Sequence, residues 1–131
     1  MLQAKDVMTK NVITIHPDAS LDEAIHHLIE KEISGMPVIK ENGKMVGIIS
    51  EKDILNFFAF SRDLHNIKVK EVMTKDVISF PPEMDVEEIG LSIGRNKFRR
   101  APILDGDRLV GIVSRRDIIR VALRISEGGN E

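Results

Sequence analysis

Two short polar motifs in the sequence carry the residue types that can hold a sugar and a phosphate. Segments 50–53 (Ser-Glu-Lys-Asp) and 114–117 (Ser-Arg-Arg-Asp) each follow an apolar stretch containing one glycine. A serine hydroxyl and the open amides of a helix N-terminus can bind a phosphate. An aspartate one turn later can accept hydrogen bonds from both hydroxyls of a ribose. The same spacing is also that of a capping box, so a purely structural role for each copy is an alternative.

Arginines are concentrated around the second motif. Arg99 and Arg100 precede an apolar strand, and Arg115 and Arg116 belong to the motif itself. Arginine matches the geometry of phosphate oxygens, so these four side chains are candidate anion contacts. Two alternatives stay open: the charges are simply solvated, or they form a face that binds a nucleic-acid backbone. The absence of Trp and Tyr disfavours the second, because single strands are usually held by stacking on aromatic rings.

The two motifs differ in charge. Lys52 of the first motif stands beside Glu51, whose negative charge would oppose a phosphate. We therefore predict that a phosphorylated ligand binds more tightly at Asp117 than at Asp53.

The motifs lie in two copies of one longer pattern. Segment 7–14 recurs as 72–79, an offset of 65 residues, whereas Gly47 recurs as Gly111, an offset of 64. One residue is therefore missing from the second copy. We place the loss in the turn, which is 41–43 in the first copy and 106–107 in the second, because turns tolerate deletions.

Each copy predicts the order strand, helix, strand, strand, helix. Segment 12–15 is a β-branched run that ends at a proline, which indicates a short strand. Ser20 with Glu23 indicates a helix start, and Asn42-Gly43 between apolar runs indicates a hairpin. The predicted domains are repeat 1 over 1–68 and repeat 2 over 69–126, followed by a flexible tail over 127–131.

The doubled pattern Val-Met-Thr … Pro … Pro-Val/Ile … Val-Gly-Ile-Ile/Val-Ser-x-x-Asp resembles the CBS domain family. The resemblance covers about residues 5–123. It implies an α+β (α/β) fold of two pseudo-twofold βαββα repeats packed through their sheets. It also implies clefts between the repeats for AMP, ADP, ATP or S-adenosylmethionine-like ligands, and a flat homodimer formed through helices.

The resemblance assigns roles to individual positions. Ser114 with Asp117, and Ser50 with Asp53, would contact phosphate and ribose, and Arg99 and Arg100 would contact phosphate. Arg115, within the motif itself, is a further candidate for the phosphate. The adenine would be held by the opposite repeat: Val12, Ile13, Ile33 and Ser34 for the Asp117 cleft, and Val77, Ile78, Phe98 and Arg99 for the Asp53 cleft.

Composition excludes several other classes of protein. An apolar content of 42% is typical of a folded globule rather than a disordered chain. No apolar stretch approaches the roughly 18 residues of a membrane span, and the start lacks a signal-peptide pattern, so we expect a cytoplasmic protein without a membrane partner. A net charge of -2 gives no general attraction to nucleic acid.

Nothing in the sequence indicates catalysis or a resident metal. Cysteine is absent, and no Ser-His-Asp arrangement or P-loop is present. His26 and His27 point to different sides of a helix, and Glu23 with His27 supplies only two ligands. We therefore expect neither a catalytic cofactor nor a metal site.

Three phenylalanines, Phe57, Phe58 and Phe60, cannot all face one core. They indicate an interaction surface, unless a bent helix end covers them. Gly90 and Gly94 lie one turn apart in a helix and indicate either close helix contact or a tolerant position.

The predicted function is that of a regulatory, energy-sensing module: an adenine nucleotide binds, and an unknown partner protein responds to the change. The alternatives are a nucleic-acid-associated module using Arg99, Arg100, Arg115 and Arg116, and a structural dimeriser with degenerate clefts.

Overall fold

The computed structural model describes residues 2–128, and the chain divides into two compact units. The central unit is formed by residues 12–77, and the split unit by residues up to 11 together with those from 78 onward. In chain order the elements are α1 (Ala4–Val7), α2 (Leu21–Lys31), β1 (Gly35–Ile39), β2 (Met45–Ser50), α3 (Glu51–Phe58), α4 (Val69–Val72), α5 (Val86–Asn96), β3 (Arg100–Asp105), β4 (Arg108–Ser114) and α6 (Arg115–Ser126). None of these helices combines the length and apolar character that crossing a bilayer requires.

Each unit contains one two-stranded antiparallel sheet. β1 pairs with β2 so that Val38 faces Gly47, and β3 pairs with β4 so that Ile103 faces Gly111. The mixed class and the hairpins predicted from sequence are confirmed.

The predicted strand over 12–15 is only one bridge long. Ile15 donates its amide to the Pro37 carbonyl at 3.1 Å and accepts from the Ile39 amide at 2.9 Å, in parallel orientation. Pro17 follows two residues later and has no amide hydrogen to continue the ladder. Phe80 makes the equivalent single bridge to Ile103 in the split unit.

The hairpin turns differ in length, which confirms where the second copy has lost a residue. In the longer turn the Lys40 amide donates to the Lys44 carbonyl at 2.9 Å, and Gly43 adopts a φ of 85°. In the shorter turn Gly106 adopts a φ of 68° between the ends of β3 and β4. These left-handed conformations favour glycine.

The units do not coincide with the sequence repeats, because each Val-Met-Thr segment packs on the other repeat. Thr9 exchanges backbone hydrogen bonds with Ile112 at 2.9 and 3.0 Å, and Thr74 does so with Ile48 at 2.8 and 2.9 Å. Helix α1 is held in the split unit by a hydrogen bond from the Ala4 amide to the Met84 carbonyl at 2.9 Å.

Each unit has its own apolar core. The core of the central unit contains Ile15, Leu21, Ala24, Leu28, Met36, Val38, Ile49 and Val69. The core of the split unit contains Ala4, Phe80, Ile89, Ile93, Ala101, Ile103 and Val113. Both sets come mainly from the inner faces of a hairpin and of the helix that precedes it, as the repeated pattern predicts.

The predicted tail over 127–131 lies partly outside the described residues, which end at Gly128. The amide of Glu127 donates to the Leu123 carbonyl, and that of Gly128 to the Ile125 carbonyl, each at 3.0 Å. These two residues therefore close the end of α6.

The two glycines of α5 differ in surroundings. A Cβ on Gly90 would lie 3.0 Å from Cγ2 of Ile118 in α6, whereas a Cβ on Gly94 would meet nothing within 4 Å. Close helix contact therefore explains Gly90 but not Gly94.

We expect Gly94→Ala to raise the free energy of unfolding by about 0.8–1 kcal/mol, the difference in helix propensity between the two residues. Urea denaturation measures the change. Gly90→Ala is the matched control, because crowding against the Ile118 methyl offsets the gain in helix propensity. Equal stabilisation by both substitutions would contradict the difference in packing.

Candidate functional site

The second Ser-x-x-Asp motif forms a capping box at the junction of β4 and α6. The amide of Ser114 donates to Oδ2 of Asp117 at 2.9 Å, and the amide of Asp117 donates to Oγ of Ser114 at 3.1 Å. The structural role that the sequence left as an alternative is therefore present. The cap uses Oδ2 of Asp117, and Oδ1 takes no part in it.

The first motif makes the same box at the junction of β2 and α3, with additional bonds. Oδ2 of Asp53 accepts from both the amide and the hydroxyl of Ser50 at 2.9 Å. Oδ1 of Asp53 accepts from the hydroxyl of Thr74 at 2.7 Å. Both carboxylate oxygens of Asp53 are therefore engaged within the central unit.

Asp117 keeps its second oxygen more open. Within residues 2–128, the bond from Thr74 to Asp53 has no counterpart from Thr9 to Asp117. Oδ1 of Asp117 lies 3.6 Å from Nη1 of Arg120, within ion-pair range but too long for a hydrogen bond. The side chain is 20% exposed and lines a pocket of about 390 Å³. Asp117 is thus oriented by its cap, while its Oδ1 accepts no hydrogen bond within the described residues.

The helix N-termini offer fewer open amides than the sequence suggested. The first amide of α6, on Arg115, donates to the carbonyl of Arg99 at 2.8 Å, and the first amide of α3, on Glu51, donates to that of Ser34 at 2.9 Å. The third amide of each helix is engaged in the capping box. A phosphate would therefore depend on the serine hydroxyl and on cationic side chains rather than on a row of free amides.

The structure brings the predicted basic residues to the second motif. Arg100 begins β3 and pairs directly with Ser114 across the sheet, and the Arg99 carbonyl holds the start of α6. Arg99 and Arg115 are exposed, and Arg100 is half-buried. In the central unit Ser34 occupies the equivalent place beside the first motif.

The predicted adenine contacts are divided between the units. Val12, Ile13, Ile33, Ser34 and Val77 belong to the central unit, as do Ser50 and Asp53. Ile78 and Phe98 belong to the split unit, where the rings of Phe98 and Phe80 lie 6.5 Å apart between centroids. Each unit therefore contains one Ser-x-x-Asp motif. It also contains most of the residues to which the resemblance assigns the adenine of a ligand bound at the other motif.

Sequence analysis missed two arginines beside Asp117. Arg120 and Arg124 line the same pocket as that carboxylate, together with Asp6, Val7 and Val121. Their spacing of three and seven residues from Asp117 places all three on one face of α6. That spacing was the signal in the sequence that could have identified them.

A second polar pocket, of about 640 Å³, lies in the central unit and contains none of the predicted residues. His16 Nε2 lies 2.7 Å from Oε1 of Glu41, and Lys70 Nζ lies 3.0 Å from Oδ1 of Asp18. The hydrogen bond from Lys70, and then its charge, lower the pKa of Asp18. Asp18 and Glu41 are therefore each engaged by one neighbour, while Lys40 and Lys75 also line the pocket.

The histidines form no metal site within the part of the chain that the structure describes, where no three candidate ligands converge. His27 Nε2 lies 3.9 Å from Oε2 of Glu23, a surface pair.

The connection between the repeats is fixed to the start of α2. The amide of Leu21 donates to the Ile67 carbonyl at 2.8 Å, and that of Asp22 donates to the Leu64 carbonyl at 3.2 Å. His65 Nδ1 lies 3.0 Å from Oδ2 of Asp22. The connection therefore satisfies amides that would otherwise be open at this helix end.

The His65–Asp22 pair predicts a pH-dependent contribution to the stability of the central unit. Hydrogen bonds from Ser20 and then His65 lower the pKa of Asp22 to about 2, and the hydrogen bond and charge of Asp22 raise the pKa of His65. The His65 contribution is therefore complete below about pH 6.5 and is lost as the pH rises through the folded-state pKa. The Asp22 contribution is present above about pH 3.9 and is lost as the pH falls towards its lowered pKa.

We expect His65→Ala to reduce the free energy of unfolding at about pH 5 and to have little effect above about pH 8. Urea denaturation at each pH measures the difference. An effect of constant size across this range would contradict the pairing, and His26→Ala, an exposed histidine of α2 outside the pair, is the control.

Comparison with known proteins identifies the family. A model of the CBS domain matches residues 4–59 and again residues 69–124. The chain belongs to the CBS domain family. Both matches contain one complete Val-Gly-Ile-Ile/Val-Ser-x-x-Asp motif, as the sequence resemblance implied.

Solved CBS pairs have the same fold. CBSX2 in complex with AMP is 29% identical, with a TM-score of 0.84 over 96% of this chain and 99% of that one. The CBS domain pair of MJ0100, in complex with 5′-methylthioadenosine and S-adenosyl-L-methionine, is 32% identical, with a TM-score of 0.78 over 93% of this chain and 96% of that one.

Among curated relatives, this CBS pair is similar to part of larger proteins. It is 38% identical to inosine-5′-monophosphate dehydrogenase of Methanocaldococcus jannaschii, over 90% of this chain but only 23% of the enzyme. It spans 41% of MJ1225 from the same organism, at 30% identity. A relative of similar length is the uncharacterised protein MJ1426, also from M. jannaschii, at 31% identity over 91% of this chain and 90% of that protein.

Proposed function

We propose that this CBS pair binds an adenosine-containing ligand as a regulatory signal and catalyses no reaction. The ligand is AMP, ADP, ATP or an S-adenosylmethionine-like molecule, with its ribose on Asp117 and its phosphate on Ser114 and the neighbouring arginines. The observation that carries the proposal is the geometry of Asp117, whose Oδ2 is fixed by the cap, whose Oδ1 accepts no hydrogen bond within the described residues, and whose side chain lines a pocket. The adenosine ligands of CBSX2 and MJ0100 support the choice of ligand class.

A bound ligand regulates only if it favours one conformation of the protein over another. We infer that a partner protein responds to that shift, in the cytoplasm where adenine nucleotides are available. In inosine-5′-monophosphate dehydrogenase the matched stretch is 23% of a longer enzyme, whereas in MJ1426 it is 90% of the protein, which supports a regulated partner either on the same chain or on a separate one.

A thermal-shift screen tests the proposal directly. The panel is AMP, ADP, ATP, S-adenosylmethionine and NAD, because only a ligand that prefers the folded state raises the melting temperature. We expect at least one adenosine ligand to raise it in a concentration-dependent way. No shift with any of the five at millimolar concentration would refute the proposal and favour a structural dimeriser. Titration with random DNA at rising salt concentrations tests the nucleic-acid alternative, because the affinity of such a module for DNA would fall steeply with salt.

We further infer that the chain forms a homodimer through its helices. Apolar side chains that are largely exposed on the helices include Ile29, Leu55 and Phe58 in the central unit, and Leu91, Ile119 and Leu123 in the split unit. Exposed apolar surface of this kind usually marks an interface. Phe57 packs against the central core, whereas Phe60 is 90% exposed, so a bent helix end does not cover all three phenylalanines.

Sedimentation equilibrium tests the dimer. We expect twice the mass of one chain for the unmodified protein and a shift to monomer for Leu55→Glu, because a buried unpaired carboxylate opposes association. Asn56→Glu, which adds the same charge at an exposed position about 100° around α3 from Leu55, is the control. A monomer at all concentrations would contradict the inference.

A further inference from the structure

The helices that follow the two motifs carry apolar faces at corresponding positions, 64 residues apart. Six exposed residues form them, and we call them the α3 face (Leu55, Phe58 and Ala59) and the α6 face (Ile119, Ala122 and Leu123). Spacings of three and four residues place each set on one side of its helix. Ala59 directly follows α3 and keeps helical backbone angles. Each unit therefore presents one apolar face that the described residues leave exposed.

The two faces are complementary in size. Phe58, which is 50% exposed, corresponds to Ala122, whereas Ala59 corresponds to Leu123, which is 60% exposed. Contact between two α3 faces would bring the Phe58 rings of both copies together and leave Ala59 opposite Ala59. Contact between an α3 face and an α6 face sets a large side chain opposite a small one at both positions. Packed helices interdigitate in this way.

The charges that border the two faces also differ. Helix α3 begins with Glu51 and Lys52, whose charges balance, whereas α6 begins with Arg115 and Arg116, and all four residues are exposed. Along its whole length α3 carries two carboxylates and one lysine, and α6 carries four arginines and one carboxylate. Contact between two α6 faces would therefore gather charges of one sign, which opposes association. Contact between an α6 face and an α3 face avoids this repulsion.

We propose that the homodimer is antiparallel, with the α3 face of one copy packed on the α6 face of the second copy. The inference rests on the proposed homodimer and adds which surfaces meet. A two-fold axis forms the contact twice and closes the assembly at two copies. Because α6 begins at the motif of Ser114 and Asp117, the ligand proposed there lies at the end of a helix that contacts the second copy.

Disulfide trapping distinguishes the possible arrangements, because the chain contains no cysteine of its own. Leu55→Cys and Ile119→Cys are prepared separately, one of them with an affinity tag that changes its mass, and are then mixed and oxidised mildly. We expect a covalent heterodimer in the mixture and about tenfold less covalent dimer from either variant alone, since a disulfide needs Cα atoms within about 7 Å. Arg108→Cys, at an exposed position of β4, replaces Ile119→Cys in the control mixture and should trap about tenfold less.

A size swap supplies a second measurement on the same faces. We expect Ala122→Phe to raise the dissociation constant of the dimer by about tenfold or more, because the added ring meets Phe58 of the second copy. Phe58→Ala/Ala122→Phe exchanges the large and small residues and should return the constant to within about threefold of the original value. Sedimentation equilibrium measures both variants, and circular dichroism confirms that each is folded.

The outcomes separate this inference from the proposals beneath it. Covalent dimer from each cysteine variant alone, without an excess in the mixture, overturns the antiparallel arrangement and leaves the homodimer in place. Equal trapping with Arg108→Cys overturns it as well, because random collision then accounts for the product. A dimer that no combination traps overturns the assignment of these faces. A monomer at all concentrations refutes the homodimer and this inference together, whereas the adenosine ligand is tested independently by thermal shift.

Discussion

Replacement of Gly47 by alanine is expected to lower the free energy of unfolding by about 1–3 kcal/mol, the range for an added methyl in a packed site. A Cβ at this position would lie 2.7 Å from the carbonyl oxygen of Thr74 and 2.9 Å from Sδ of Met73. The carbonyl belongs to backbone that pairs with Ile48, so it cannot move without breaking that bridge. Glycine is thus required here for space, and urea denaturation measures the cost.

The equivalent position in the other repeat provides a comparison. A Cβ on Gly111 would lie 2.5 Å from Sδ of Met8 and 3.0 Å from the Thr9 carbonyl. The nearest atom belongs to a flexible thioether, so we expect Gly111→Ala to cost less than Gly47→Ala. Gly94→Ala is the control, since nothing lies near that position. Unchanged stability in Gly47→Ala would contradict the packing of the Thr74 segment against β2.

Alanine at Asp117 is expected to weaken AMP binding by about 100-fold or more, whereas alanine at Asp53 should change it by no more than about threefold. Loss of two hydrogen bonds to a charged acceptor accounts for a change of this order. Asp117 has an oxygen available to a ribose, whereas ligand binding at Asp53 must first displace the Thr74 hydroxyl. Calorimetry with AMP measures both variants.

Each substitution removes one capping box, at a cost of about 1 kcal/mol, and Asp53→Ala also removes the hydrogen bond from Thr74. Weaker AMP binding in Asp117→Ala therefore cannot come from a larger loss of stability. A difference in binding then reports on ligand contacts rather than on folding. Abolished AMP binding in Asp53→Ala together with unchanged binding in Asp117→Ala would overturn the assignment. Thr74→Val adds a direct test, since it frees Oδ1 of Asp53 and should reduce the difference between the two sites.

Local signals in the sequence predicted most of the elements. Asn42-Gly43 between apolar runs indicated a hairpin, and the one-residue change of offset located its turn. Ser20 indicated the start of α2, and its hydroxyl accepts the Glu23 amide. Asp85, in the matching place of the second copy, precedes α5 without such a side-chain bond. These features depend on neighbours within a few residues.

The sequence also determined the candidate motifs, since Ser50 with Asp53, and Ser114 with Asp117, recur in register with all their neighbours. Their capping geometry follows from a spacing of three residues and could be anticipated. The pairing of Arg100 with Ser114 follows from the hairpin register once the turn is located. Doubling of the pattern was sufficient to indicate the family.

Only the tertiary structure decided how available each motif is to a ligand. The hydroxyl that occupies Oδ1 of Asp53 comes from Thr74, 21 residues away, and the carbonyl on the first amide of α6 comes from Arg99. The exchange of the Val-Met-Thr segments between repeats brings Thr74 to that place and Val7 to the pocket beside Asp117. Such contacts join segments that are distant along the chain, and no local propensity encodes them. The sequence therefore specified which residues could bind a nucleotide, and the long-range packing determined which carboxylate oxygen remains open to one.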